Sequence, residues 1–462
     1  MKIEFLGAAR CVTGSSYLLH LPEMKILVDC GLFQGRRELE DRNYGPFPFD
    51  PSDIDYLIIT HAHIDHLGLL PKLIKDGFKG KVFATRATVD LSPVMLMDAG
   101  HIQETEAAWK TKKALRTGKK PVEPLYTMAD AELCKGYMEG VAYDEFIPLS
   151  GKIRFRFRDA GHILGSASLE LWVEEYGKVK KIIFSGDLGS KGHPIVKDPA
   201  HIEEADVVLI ESTYGNRLHK GIKETEDELI AAISETQKKG GNVLIPSFAL
   251  GRTQDILFFL NRASRAGRLS NLTVYVDSPL AIAATEIYLM HPDCFDKEAY
   301  ELIIKAKPSK NAPKLIFTQT AEESMEINKR AKGAVIIAGS GMCEAGRIRH
   351  HLKHNLWKEE ASIIFVGYQA EGTLGRRIVD GARMVRVFGE EIAVKARVYT
   401  IGGLSAHADR DELLDWLGRI KGNPEIFVVH GEEETSFKFA DEIIDRFGYR
   451  VHVPKWREAF EV

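Results

Sequence analysis

Within six consecutive positions, a 462-residue chain offers three imidazoles and a carboxylate: His61, His63, Asp65 and His66. Imidazole nitrogen and carboxylate oxygen are what a divalent zinc ion accepts when thiolates are absent. A polar loop, or a helix N-terminus with an Asp cap, is the plain alternative. Against it stands the cost of taking several histidines out of water with no ligand to hold. Four residues cannot fill a two-metal centre, so further ligands are expected downstream, each at a strand end where it can converge on the first group. His162 follows Gly161, and Asp187 lies between Gly186 and Leu188-Gly189. Glycines there let the backbone turn tightly and come close to a bound group.

Four more stretches share this layout. Asp29 follows Ile26-Leu27-Val28, and is either a carboxylate that orients a ligating imidazole or an Asx turn after a strand. Glu211 closes Val207-Val208-Leu209-Ile210, where a carboxylate is poorly placed without a partner. His407, in Gly403-Leu404-Ser405-Ala406-His407, and His430, after Phe427-Val428-Val429, each read equally as a site residue or as a satisfied cap or strand-end histidine.

The elements that must position these residues are short. Up to about Glu211, runs such as Lys25 to Val28, Tyr56 to Ile59, Lys181 to Phe184 and Val207 to Ile210 are four residues long and lead directly into a polar residue. Buried strands emptying into loops have this pattern, and the region reads as layered α/β. From Ser212 to Ala393 the rhythm becomes a plainer alternation of strand and helix, as at Asn242 to Ile245 with a helix from Arg252, and Ala334 to Ala338 with a helix from Glu344. That implies a mostly parallel, doubly wound sheet. Arg397 to Ile401 and Ile426 to Val429 resume the first pattern. The expectation is therefore an α/β protein with an inserted domain: residues 1–210 open the first domain, 211–393 form the insertion and 394–462 complete the first. Lys110 to Lys120 reads as a basic, loop-like excursion.

Composition narrows the class. A hydrophobic fraction of 44% over 462 residues supplies more than one core. No stretch approaches the ~20 apolar residues of a membrane helix, and Met1 to Leu6 reads as an opening strand rather than a signal peptide, so a cytoplasmic protein is expected. The five cysteines are scattered without a C-x-x-C pair, which indicates neither a disulfide framework nor a thiolate zinc site. A net charge of -4 gives no general attraction to nucleic acid.

Taken together, H-x-H-x-D-H at 61–66, the isolated His162 and Asp187, and Glu211, His407 and His430 around an α/β insertion resemble the metallo-β-lactamase superfamily in its β-CASP nuclease branch. Ser247-Phe248-Ala249-Leu250-Gly251-Arg252 and Gly339-Ser340-Gly341-Met342 are similar to strings of that family's inserted domain. The resemblance covers the chain from Asp29 to His430. It implies an αββα sandwich with an inserted β-CASP domain and a zinc-dependent ribonuclease. One zinc would take His61, His63 and His162, and the other Asp65, His66 and His430, with Asp187 bridging and Asp29 behind the ligands. Asp65 would orient the attacking hydroxide, and His407, held by Glu211, would protonate the leaving oxygen. Ser247, Arg252, Ser340, Gly341, Arg347 and Arg376 are the candidates for holding the RNA backbone.

The resemblance is to the short bacterial or archaeal type, lacking the KH modules and the C-terminal domain of longer relatives. DNA-directed relatives carry valine where this chain has His430. A DNA nuclease of the same fold, a small-molecule metallohydrolase and a catalytically idle RNA-binding scaffold are the rival readings. Endonuclease and 5′-to-3′ exonuclease action are both open, as are monomer and homodimer.

Overall fold

The computed structural model describes residues 1–462. They divide into two compact units: Met1–Lys191, Lys197–Leu218 and His407–Val462 form one, and Gly192–Val196 with His219–Ala406 form the other.

In the first unit, chain order gives β1 (Lys2–Phe5), β2 (Tyr17–His20), β3 (Lys25–Val28), β4 (Tyr56–Ile58), β5 (Lys81–Thr85) and β6 (Met138–Val141). These are followed by β7 (Ile147–Pro148), β8 (Ile153–Asp159), β9 (Ala167–Glu175), β10 (Lys178–Phe184) and β11 (Val207–Glu211). The second unit contributes β12 (Val243–Pro246), β13 (Thr273–Val276), β14 (Lys314–Phe317), β15 (Val335–Ala338), β16 (Ser362–Phe365), β17 (Met384–Val387), β18 (Glu390–Ala393) and β19 (Arg397–Thr400). The first unit closes with β20 (Glu425–Val429), β21 (Val451–His452) and β22 (Glu458–Glu461).

Two seven-stranded sheets, β22-β1-β2-β3-β4-β5-β6 and β21-β20-β11-β10-β9-β8-β7, share one core. Phe5, Val28, Ile58 and Phe83 from the first meet Phe155, Leu169, Phe184, Leu209 and Phe427 from the second. The outer face of the second sheet buries Val208, Ile210, Ile426 and Val428 against Leu413 and Leu417 of the helix Arg410–Gly418 and Phe439 and Ile443 of the helix Glu433–Phe447. Helix Arg86–Leu115 packs on β5 and β6 of the first sheet. The result is the expected αββα sandwich. Strands β3 to β6 run parallel, as do β10, β11, β20 and β21. Among them β3, β4, β11 and β20 are buried over nearly their whole length and apolar inside, which is why polar residues collect at their ends.

The basic stretch from Lys110 is helical rather than loop-like up to Leu115, because the helix that starts at Arg86 runs unbroken to that point. Lysine is a good helix former, so a run of cations outside the core does not end a helix. All five cysteines are buried thiols, and no helix is long and apolar enough to cross a membrane.

The second unit carries a wholly parallel six-stranded sheet, β14-β13-β15-β12-β16-β19, and a β17-β18 hairpin. β19 pairs with β16 at its edge, from Ser362↔Arg397 to Phe365↔Thr400. The apolar run at 397–401 therefore completes the second sheet, not the first. Its strand pattern is equally compatible with either sheet, and only the long-range pairing decides. Asp277, fully buried, ties this unit together: it accepts from Thr318 Oγ1 and Arg347 at 2.7 Å and from His351 Nε2 at 2.7 Å, with Ser324 Oγ at 2.5 Å. These bonds hold its carboxyl down to about 2 against the upward push of burial.

A second buried acid behaves oppositely. Asp255, in the helix Arg252–Arg265, faces His193 with 3.4 Å between Oδ2 and Nε2. Burial raises its carboxyl to about 7, although Arg252 pulls the other way, and drives the His193 imidazole down to about 3. A carboxyl whose pKa rises on folding contributes stability below its ordinary pKa and loses it as pH climbs through the folded value. Asp255→Asn should therefore raise the unfolding free energy at about pH 8 by on the order of 2–4 kcal/mol and change it little at about pH 4. Denaturant melts at both values check this, and a stabilisation that does not depend on pH would show the carboxylate to be ionised throughout.

Candidate metal centre

The six residues expected to gather at strand ends do so in the first unit. Asp29 follows β3, His61 lies just beyond β4, His162 beyond β8 and Asp187 beyond β10, while Glu211 is the last residue of β11 and His430 follows β20. Asp65 and His66 sit in the single helical turn Ile64–Leu67. Two of these positions are strained: Asp29 at φ 58° and His430 at φ 49° occupy the left-handed region, which non-glycine residues enter at a cost of ~1–3 kcal/mol.

Three ligand-type groups result, His61 with His63, His162 and Asp187, then Asp65 with His66 and His430, then Asp187 with Glu211 and His407, each with its ligand atoms within 4.8 Å of one another. His63 Nδ1 lies 3.0 Å from His61 Nε2 and 3.1 Å from His162 Nε2. His430 Nε2 lies 3.3 Å from His66 Nε2 and 3.4 Å from Asp65 Oδ2. Asp187 reaches both sets: Oδ2 is 3.5 Å from His61 Nε2 and 3.6 Å from His162 Nε2, and Oδ1 is 3.3 Å from His66 Nε2.

Hydrogen bonding on the far side of each ring fixes which nitrogen faces inward. Asp29 Oδ1 accepts from Thr60 N at 2.8 Å, and Oδ2 from Thr60 Oγ1 at 2.9 Å and His66 Nδ1 at 2.8 Å. Because the Thr60 hydroxyl donates to Asp29, its oxygen is left to accept from His61 Nδ1 at 3.1 Å. Thr213 repeats the arrangement for His430, its Oγ1 donating to the His430 carbonyl at 3.2 Å and meeting Nδ1 at 3.1 Å. His61, His66 and His430 thereby turn their Nε2 atoms toward the centre. Thr60 and Thr213 do not stand out in the sequence as chemistry-bearing, although each lies within two residues of a candidate.

These distances fit a bound cation. Two nitrogens on one tetrahedral zinc, each ~2.05 Å from it, are ~3.3 Å apart, which matches the spacings here. Asp187 Oδ1 is also buried with no hydrogen-bond donor. Burial holds His61 well below the usual imidazole range and His63 at about 4, so both offer lone pairs. Burial works against the charge of His66 too, but Asp187 and Asp29 raise it well above normal. Asp65, which burial alone would raise, is held at about 2 by the His430 bond and His66.

The third group is built differently. Glu211 Oε1 accepts from Leu188 N at 2.7 Å and from His407 Nδ1 at 3.2 Å, and Oε2 accepts from Thr213 N at 3.2 Å. His407 Nδ1 is 3.8 Å from Asp187 Oδ2. Burial opposes a charge on His407, but Glu211 and Asp187 raise it to about 9, so it keeps its proton at neutral pH.

In the second unit the two glycine-containing strings meet at the C-terminal ends of β12 and β15, where a Cβ on Gly341 would lie 3.2 Å from the Phe248 ring. Ser247 is buried and accepts from Thr253 Oγ1 at 3.1 Å, while Ser340 Oγ accepts from Ala345 N at 3.2 Å. Arg347 spends its guanidinium on Asp277 and on the carbonyls of Thr318 and Gln319. Arg376 pairs with Asp380 one turn along its helix, while Arg252 stands beside His193 and Asp255. Phe248, 53% exposed at the same strand end, is an aromatic that the sequence reading passed over.

Comparison with known proteins agrees with this architecture. The metallo-β-lactamase superfamily matches residues 9–213, the β-CASP domain 253–378 and the Zn-dependent metallo-hydrolase RNA specificity domain 391–454. "Ribonuclease TTHA0252" of Thermus thermophilus is 39% identical over 434 residues, 94% of each chain. The chain belongs to the β-CASP branch of the metallo-β-lactamase superfamily. An "RNase J-like protein" of Methanocaldococcus jannaschii is 32% identical, over 95% of this chain and 94% of its own. The same organism's "Transcription termination factor FttA" is also 32% identical, over all of this chain and 72% of its own. A crystal structure of a protein of unknown function from Enterococcus faecalis V583 superposes with TM-score 0.57 at 12% identity over 99% of both chains, a likeness of fold.

A β-CASP metallo-hydrolase of this superfamily is zinc-dependent, and the inward nitrogens depend on Asp29. Asp29→Asn should weaken zinc binding by about 10–100-fold. Competition against a zinc chelator measures it, and unchanged affinity in a folded variant would remove Asp29 from the site.

Proposed function

We propose that this protein is a two-zinc ribonuclease that hydrolyses RNA phosphodiesters to 5′-phosphate and 3′-hydroxyl ends. The observation that carries the reading is the Glu211–His407 pair set against Asp187, beside two sets of inward-facing ligands. A metallo-hydrolase reading that stops at the metal ligands gives this protonated imidazole and its buried carboxylate no role. Displacement at phosphorus needs an acid for the leaving oxygen. The relatives named as a ribonuclease and as RNase J-like support RNA as the substrate, and the RNA specificity match at 391–454 includes both His407 and His430.

His61, His63 and His162 would hold one ion and Asp65, His66 and His430 the other, with Asp187 shared between the two sets. Zinc bound there supplies Lewis acidity and a water acidic enough to attack at neutral pH. The side chains do the rest. Asp65, kept ionised, orients the attacking group. Glu211 is anchored by the Leu188 and Thr213 amides and accepts the Nδ1 proton of His407. This directs the Nε2 proton of His407 toward the leaving 3′-oxygen. In the second unit, the exposed Phe248 and the backbone around Ser247, Ser340 and Gly341 at the ends of β12 and β15 offer a surface for RNA, and Arg252 adds charge. Arg347 and Arg376 support that surface through Asp277 and Asp380 rather than by reaching phosphate.

Zinc-loaded protein should contain two ions per chain by elemental analysis and should cleave a circular single-stranded RNA, which has no end for an exonuclease. His407→Ala should keep both ions and lose about 10²–10⁴-fold in rate. Full activity in that variant would eliminate the proposed acid. Intact circles alongside degraded 5′-monophosphate RNA would restrict the enzyme to exonuclease action.

A further inference from the structure

A cavity of about 560 Å³ opens in the first unit, on residues to which the mechanism gives no role. One wall is Gly45-Pro46-Phe47-Pro48-Phe49, in which two half-buried rings alternate with prolines and stand 5.2 Å apart. The two prolines restrict the backbone that carries the rings, so less ordering entropy is lost when a flat group stacks on them. The opposite lining brings Arg42, whose guanidinium stands over the Trp456 ring at 4.2 Å and the Phe33 ring at 5.4 Å. Its contacts are aromatic rather than ionic, so its hydrogen-bonding edge is not spent on a carboxylate. The turn that carries it is pinned from the next residue, where Asn43 bonds both Phe33 N, at 2.9 Å, and Phe33 O, at 2.7 Å.

Charge in the cavity is one-sided. Lys72 and Arg457 also line it, Lys72 lying 4.1 Å above the Phe47 ring while paired with Asp76 at 2.6 Å. The one lining carboxylate, Asp50, is occupied as a helix cap, accepting from Ser52 N and Oγ. Pre-set aromatic faces beside a guanidinium suit a ligand with a flat ring at one end and an anion at the other. Stacking on aromatic rings is how bases are held without regard to sequence, with Arg or Lys taking the phosphate.

We propose that this cavity binds one nucleotide, its base against Phe47 and Phe49 and its phosphate at Arg42. The nucleotide has two sources: a free mononucleotide, or one residue of an RNA strand. Only the second rests on the ribonuclease reading above.

The test reads binding without cleavage. Adenosine monophosphate and uridine monophosphate are titrated into the zinc-loaded protein by calorimetry, and a labelled phosphorothioate oligoribonucleotide by fluorescence polarisation across a salt series. Wild type is compared with Arg42→Glu, Phe49→Ala and, as a charge-matched surface control, Arg446→Glu. A strand occupant predicts about tenfold weaker oligonucleotide binding in both cavity variants, with a salt slope shallower by about 0.7 in Arg42→Glu and no monophosphate binding. A free occupant predicts monophosphate binding by wild type that both variants weaken by a similar factor. If neither ligand binds the cavity variants more weakly than it binds Arg446→Glu, the proposal is overturned. Failure of the ribonuclease reading would appear in the circular-RNA assay and would leave the monophosphate arm intact.

Discussion

Unprotonated imidazole nitrogens facing one another at 3.0 Å, as those of His61 and His63 do, repel unless a cation stands between them. The first unit is organised around enforcing that arrangement. Five histidines and two carboxylates converge on one small volume, and nearly every strand end that reaches it brings one of them. Burial strips His61 and His63 of water and protons, whereas the carboxylates Asp187 and Asp29 favour the proton on His66. The strain at Asp29 and His430 belongs to the same account. Each sits in the left-handed region because the chain must turn sharply off a buried strand while aiming its side chain inward.

The ring orientations are set from behind by neutral and charged oxygens in turn. Asp29 binds His66 directly and His61 through the Thr60 hydroxyl, so one carboxylate fixes a ring in each of two side-chain groups. Thr213 fixes His430, and its amide also anchors Glu211. The Glu211–His407 pair and the His66–His430 group therefore share a support. A change at Thr213 would be felt at both, whereas a change at Asp29 is confined to the ligands.

How far the sequence alone reveals this follows from the range of the interactions. The ligand loops were legible because apolar strands covered on both faces force polar residues to their ends, and the histidines between 61 and 66 are dense enough to stand out. The αββα layering and the parallel second sheet were legible from the same periodicity. Membership of β19 was not, since a four-residue strand carries no mark of its partner and only pairing with β16 assigns it. The role of Arg347 was hidden for a similar reason: a basic residue after a glycine turn looks available, but Asp277, 70 residues away, claims it. Thr60 and Thr213 were missed because their importance lies in which atom is left over after they bond, a property of geometry and not of residue type.

Arg347 and Arg42 show how the same side chain takes opposite roles. Both are partly buried cations beside a turn, and charge counting treats them alike. Arg347 meets a carboxylate with no water to screen it, and its fork is consumed in holding β13 to the segment around Thr318 and Gln319. Arg42 rests on two aromatic faces, which stabilise a cation but accept nothing from the edge of its guanidinium. The first is therefore a structural tie and the second an unspent donor. What separates a tie from a binding group in this fold is the chemistry of the partner and not the charge itself, and a sequence holds that distinction only in residues far along the chain.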